Sequence, residues 1–165
     1  MEYIILLIAM FLSTAVHTPE PSSNPPKAIA CSFFGKDYAL KMIRQEVKTI
    51  NEDEGESETS KFSRCTFVAI SDETAPKIHF KIEVSNREND AKNAFESVRR
   101  SNNGHRGFEE WNSVGDEALV HQDGDKFQLV MIRKRTKTIT IKVNPSHGIS
   151  IDVTKAVGMA LEKKL

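Results

Sequence analysis

The chain has 165 residues, with 23 basic and 23 acidic side chains in exact formal balance, so no global field draws it to nucleic acid or to an anionic membrane surface. Without an apolar leader and a proline-rich stretch, roughly 140 residues remain, which suits one domain with a respectable core and is too few for two. The two cysteines form no Cys-x-x-Cys and have no histidine at zinc-ligand spacing, so neither a redox motif, a metal centre nor a cofactor is expected.

Residues 3–16 (YIILLIAMFLSTAV) form an almost uninterrupted apolar run. A comfortable membrane span needs roughly 20 such residues, whereas a signal-peptide core needs about 7 to 15. Ser13-Thr14-Ala15 supplies the small-x-small pattern, and residues 1–15 therefore read as a signal peptide cut after Ala15. Glu2 stands where a positive charge is usual, which keeps a retained membrane anchor and a buried amino-terminal helix as other readings. Either a signal or an anchor exports the domain, so the expected location is secreted or periplasmic, in the cell envelope. Residues 16–30 contain Pro19, Pro21, Pro25 and Pro26, which remove donors and hold extended geometry, and they read as a tether. Ala28-Ile29-Ala30-Cys31 distantly resembles a lipoprotein cleavage box, but such a box abuts the apolar core, and here the prolines intervene.

The domain then spans residues 31–165. In an exported protein an even pair of cysteines is first a bridge, and Cys31 to Cys65 closes a loop of about 35 residues. Residues 34–47 place Tyr38, Ala39, Met42, Ile43 and Val47 on one helical stripe. Residues 51–60 (NEDEGESETS) read as a solvated loop. Asp53, Glu54, Glu56 and Glu58 are hard ligands for calcium, but the EF-hand order is absent.

Strands are predicted over residues 62–70 and 77–84, joined by the turn residues 71–76. The strict alternation of Ile78, Phe80, Ile82 and Val84 puts His79 and Lys81 on the wet face. Residues 89–100 form a helix with Ala91, Ala94, Phe95 and Val98 buried, capped by Asn86 or Asn89. Three strands follow over residues 113–121, 126–133 and 136–143, with turns at Asp123-Gly124-Asp125 and Lys134-Arg135. A closing helix over 153–165 has Asp152 as its cap, and close packing on the sheet explains Gly158 within it. The order is helix, two strands, helix, three strands, helix, which predicts an α+β domain: an antiparallel sheet of about five strands with helices packed mainly on one face.

Candidate chemistry is sparse. Asp116, Glu117 and His121 are the most suggestive set for a hydrolase, with carboxylates beside a glycine turn and an imidazole to accept a proton. Strand alternation, however, sends Asp116 and Glu117 to opposite faces. The loop at residues 102–107 holds His105 but leaves a helix rather than entering one, the reverse of a phosphate cradle. Phe108 and Trp111 are core anchors or half of an aromatic contact surface. Arg133-Lys134-Arg135 with Lys137 reads as a solvated hairpin end or an anion-binding patch.

Cys31, Cys65-Thr66, and Gly115-Asp116-Glu117-Ala118 ahead of a strand ending in Arg133-Lys134 match, in order and rough spacing, a pattern of small exported bacterial domains. The chain resembles this group, many of them lipoproteins. The resemblance implies an exported α+β domain similar to the PsbP-like architecture, and it carries no catalytic residue across. The function expected is therefore a binding or interaction module for an envelope protein or small ligand, through one sheet face or the loop at residues 102–111. Its contact with membrane would come only through an uncleaved leader. The alternative is an envelope hydrolase using Asp116 or Glu117 with His121.

Overall fold

The computed structural model describes residues 30–165 apart from 73. The expected signal peptide, residues 1–15, and all of the expected tether except Ala30 lie outside the described residues. Two short helices, α1 (Ala30–Phe34) and α2 (Lys36–Ile43), lead into three strands, β1 (Val47–Glu56), β2 (Ser60–Ala69) and β3 (Lys77–Ser85). Helix α3 (Glu88–Asn102) separates these from β4 (Phe108–Glu110), β5 (Glu117–Asp123), β6 (Phe127–Lys134) and β7 (Lys137–Asn144), and α4 (Ile151–Glu162) closes the chain. Among the described residues, all strands join one seven-stranded antiparallel sheet in the order β1-β2-β3-β7-β6-β5-β4. The fold is α+β and antiparallel, as expected, but the sheet has seven strands rather than about five.

The two additional strands are the two edges. Residues 51–60, expected as a loop, supply most of β1, which pairs with β2 along its length. Its carboxylates are solvated without preventing the ladder, because an edge strand asks only one backbone side to pair. Strand β4 is three residues long and pairs Phe108 with His121. The expected helix over 34–47 is also shorter: Gly35 (φ 79°) breaks it from α1, and Arg44 (φ 61°) ends it, so Val47 enters β1.

Alternation sorts side chains onto two faces. On the first face, Cys65, Phe67, Ile78, Phe80, Val130, Ile132, Ile139 and Ile141 form the main core beneath α1, α2 and α4. Phe34 of α1 sits 5.0 Å from Phe80 and 5.3 Å from Phe67 between ring centres. A disulfide joins Cys31 to Cys65, tying α1 to β2. Gly158 is buried where an added Cβ would come 3.1 Å from Ile132 and 3.2 Å from Val130, which bears out close packing as its reason. On the second face, among the described residues, only α3 packs, with Phe95 over Leu119 and Met131 and with Val98, Phe108 and Leu129 around them. Three helices thus share one face, and α3 covers half of the other.

Both helix caps differ from expectation. Ser150, not Asp152, caps α4, its Oγ accepting from the Asp152 N–H. Arg87 occupies the cap position of α3 with no side-chain bond, while Asn86 donates instead to the Glu58 carbonyl across the loop before β2.

Candidate functional site

The Gly115-Asp116-Glu117 segment is organised around Arg133 of β6. Its guanidinium is 6% exposed and meets Glu117 at 2.6 Å, Asp116 at 3.2 Å and Glu88 at 3.8 Å, and it also donates to the Arg135 carbonyl. Asp116 lies just ahead of β5, outside strict alternation, and this is how both neighbouring carboxylates reach one cation, contrary to the expectation that they face apart. The second Asp116 contact explains the motif: its Oδ2 accepts the Arg135 N–H at 2.6 Å, closing the β6–β7 turn in which Arg135 has φ 54°. Gly115 (φ 61°) passes so close to β6 that a Cβ there would lie 2.5 Å from the Arg133 carbonyl oxygen. No side chain fits.

His121 is at the far end of the same strand. Glu117 and His121 share a face but lie four residues apart, about 13 Å along a strand, with Leu119 between them. The imidazole is buried and its Nδ1 meets Asn102 Oδ1 at 2.7 Å. The rings of Phe127, His105 and Phe108 surround it at 5.0, 5.9 and 6.3 Å. The structure therefore does not bring Asp116 or Glu117 together with His121. The carboxylates are held by a buried guanidinium, and the imidazole locks the carboxyl end of α3 to β5.

Two further cations of the expected run, Lys134 and Lys137, are also used internally. Lys134 pairs with Glu162 at 2.9 Å, and Lys137 donates to the Leu165 carbonyl at 2.9 Å, so the hairpin end grips the end of α4. Asp53 pairs with Arg64 at 3.3 Å and Glu56 with Lys61 at 3.4 Å. As members of β1, Asp53 and Glu56 face opposite ways, so the segment expected as a loop does not gather them around a cation. Trp111 is half-buried against the main core with the Lys155 ammonium 5.5 Å above its ring. A cleft of about 280 Å³ runs from Phe95 past Trp111 to Ala118, beside the loop at residues 102–111, but its charges answer one another. Arg99 bonds Glu96 at 2.6 Å and Glu110 at 2.7 Å, and the bonds from Arg99 and then Arg100 to Glu96 draw the Glu96 carboxyl down to about 2.

What α3 leaves open on the second face is different. Registry sets Thr66, His79 and Lys142 side by side on β2, β3 and β7, with Arg64, Lys81 and Thr140 in the next row. Lys48 on β1 and Lys77 on β3 extend the surface toward the β2–β3 turn. Arg64 lies 4.3 Å and Lys81 5.1 Å from the Phe62 ring, and Lys142 lies 5.6 Å from the Phe127 ring. Lys81 also bonds Glu83 at 2.6 Å, and Ser60 donates to the same carboxylate. Burial works against the Glu83 charge, but those two donors together hold its carboxyl below the ordinary range. Among the described residues, no carboxylate pairs with Lys48, Lys77 or Lys142. Burial, with Lys142 and Lys77 beside it, pushes the His79 imidazole below its ordinary value. His79 Nδ1 meets Thr66 Oγ1 at 3.1 Å. Sequence reasoning put His79 and Lys81 on a wet face but missed Lys48 and Lys142 as their companions, because only the β3–β7 pairing brings Lys142 there.

No protein-family model matches this chain, and no curated protein matches it.

Proposed function

We propose that the chain is an exported module of the cell envelope, secreted or periplasmic, that binds an anionic ligand on the half of the second sheet face that α3 does not cover. One observation carries the reading: on the open part of the second face, Lys77 and Lys142 flank His79 and Lys48 stands farther out on β1, all without carboxylate partners among the described residues, whereas Arg133 under α3 is paired. Like charges gathered on a surface repel one another, and an anionic ligand relieves that repulsion. Phe62 and Phe127 hold three of the cationic stems or heads over their rings, which limits the freedom lost on binding.

Export is supported by the apolar leader and by the Cys31–Cys65 bridge, which suits an oxidising compartment. The likeness to small exported domains is consistent with this reading, and it gives the Gly-Asp-Glu-Ala motif a structural duty at Arg133 in place of a catalytic one. The hydrolase alternative gains nothing from the geometry, because His121 and the carboxylates serve separate contacts.

The test is a titration of the isotope-labelled protein with poly-L-glutamate and, separately, with heparin fragments. Amide shifts centred on His79, Lys142 and Lys77, reduced about tenfold in apparent affinity by the pair Lys77→Gln and Lys142→Gln, are expected. Shifts spread evenly over the surface, or an unchanged affinity in the double variant, would remove the reading.

A further inference from the structure

The turn that leaves α3 carries Asn102-Asn103-Gly104, and the fold treats its two side-chain amides differently. Asn102 is held at both ends: its Nδ2 donates to the Val98 carbonyl at 2.7 Å, and its Oδ1 meets His121 Nδ1 at 2.7 Å. Asn103 is exposed and stands one residue past the helix, in extended backbone at φ −60° and ψ 134°. Its N–H donates to the Arg99 carbonyl, but its side-chain amide has no hydrogen-bond partner among the described residues. Gly104 follows at φ 82°, with open space where a Cβ would lie, and its N–H has no backbone partner among the described residues.

An asparagine amide carbon is an electrophile, and the next main-chain nitrogen is the nucleophile that can close a five-membered ring on it. Attack by the Gly104 nitrogen on Asn103 Cγ forms one C–N bond, the attacking nitrogen gives up its proton, and the side-chain nitrogen leaves as ammonia. Water then adds to either carbonyl of the resulting succinimide and breaks one ring C–N bond. The product is aspartate or, with the main chain rerouted through Cβ, isoaspartate. Closure needs Asn103 to rotate about ψ and the next nitrogen to be unobstructed. A helix interior denies both, because its N–H groups are bonded and its ψ is fixed. Here ψ has left the helical value, the nitrogen is free, and glycine puts no side chain beside it. We propose that Asn103 deamidates spontaneously in the folded protein, with the Gly104 nitrogen as nucleophile and water as the only co-reactant.

Three comparable positions are blocked or slowed. Asp123-Gly124 offers a carboxylate, a poorer electrophile than an amide, and Lys126 holds it at 3.0 Å. Asn112 is exposed, but Ser113 places a side chain next to the nitrogen. Asn144 precedes Pro145, whose nitrogen carries no proton to give up. Reaction at Asn103 leaves a new negative charge at the carboxyl end of α3, where the helix dipole disfavours it, one residue from the Asn102 that holds His121. This inference does not depend on the anionic ligand proposed for the second face.

The experiment incubates the full chain in mild alkali in water enriched in oxygen-18, then digests it with trypsin and reads residues 101–106 by mass spectrometry. Two products modified at Asn103, aspartate and isoaspartate, should accumulate, each carrying one heavy oxygen, at least about tenfold faster than any product at Asn112. The rate should rise with pH, because the attacking nitrogen must lose its proton. Asn103→Gln should abolish both products while leaving urea unfolding unchanged, and Gly104→Ala, which meets open space, should slow them several-fold. The free peptide of residues 101–106 sets the unprotected rate, and the folded chain should react within a few-fold of it. A folded chain more than about tenfold slower than that peptide would show that the turn protects Asn103, and it overturns the proposal. Modification of Asn102 or Asn112 as fast as Asn103, or product without isoaspartate, overturns it equally.

Discussion

Under α3 and beyond it, the second face of the sheet handles charge in opposite ways. Beneath the helix, Arg133 is 6% exposed and meets three carboxylates. Beyond the helix, Arg64 and Asp53 are about half in water, and Lys48, Lys77 and Lys142 have no acidic partner among the described residues. The difference follows from solvation. A covered cation without partners costs several kcal/mol, so burial demands neutralisation, whereas water screens an open cation and leaves it available. The covered half is therefore spent on stability, and the open half is where binding has material to work with.

The largest stability change is expected on the first face, at the bridge. Replacing Cys31 and Cys65 by Ala releases a loop closed across a sequence separation of 34. The chain-entropy model puts the loss at about 3 to 4 kcal/mol. Urea unfolding of the parent, with and without reductant, against the double variant measures it. A loss below about 1 kcal/mol would mean that α1 stays docked through Phe34 alone, against Phe67 and Phe80.

The same substitution made in each half of the second face puts the contrast itself at risk. Arg133→Met keeps much of the stem volume but strands Glu117 and Asp116 beside α3, and about 2 to 3 kcal/mol should be lost. Arg64→Met removes a half-exposed ion pair with Asp53 and a ring contact with Phe62, together worth about 1 kcal/mol or less. Urea midpoints at matched m-values compare the two. Equal losses would show that cover by α3 does not set the worth of charge here.

The sheet was legible from within and not from its margins. The five inner strands each carried a signal: β3 and β7 alternate, β2 is rich in β-branched and aromatic residues, and Gly124 and Arg135 mark the turns around β6. The edges β1 and β4 did not, since an edge strand is free to carry NEDEGE, a sequence that composition assigns to a loop. Pairing partners decided the rest. That Lys142 stands beside His79 follows from β3 joining β7, a long-range fact that no local pattern contains. Sequence reasoning marks Asp116 and Glu117 as candidate carboxylates but sends them to opposite faces, and their common partner, Arg133, lies sixteen residues beyond Glu117, where it reads only as part of a basic run.

The smallest effect sharpens the open half most. His79 is pushed below its ordinary 6.5 by burial first, then by Lys142 and Lys77, so the folded protein holds that proton less tightly than the unfolded chain does. Between the two values the unfolded state binds more protons, and stability therefore rises with pH. The contribution is fully present above 6.5 and is lost as pH falls through the folded value. Neutralising Lys77 and Lys142 to Gln should move the His79 titration, followed by its ring proton resonances, upward toward 6.5 and flatten the acid side of the stability curve. A bound anion should do the same to the parent protein, because it offsets the two lysines as the substitutions do, and binding there should take up protons and tighten on acidification. If the imidazole titrates identically in the parent and in the double variant, the lysines do not act on His79 together, and the open half is only a set of separate solvated charges.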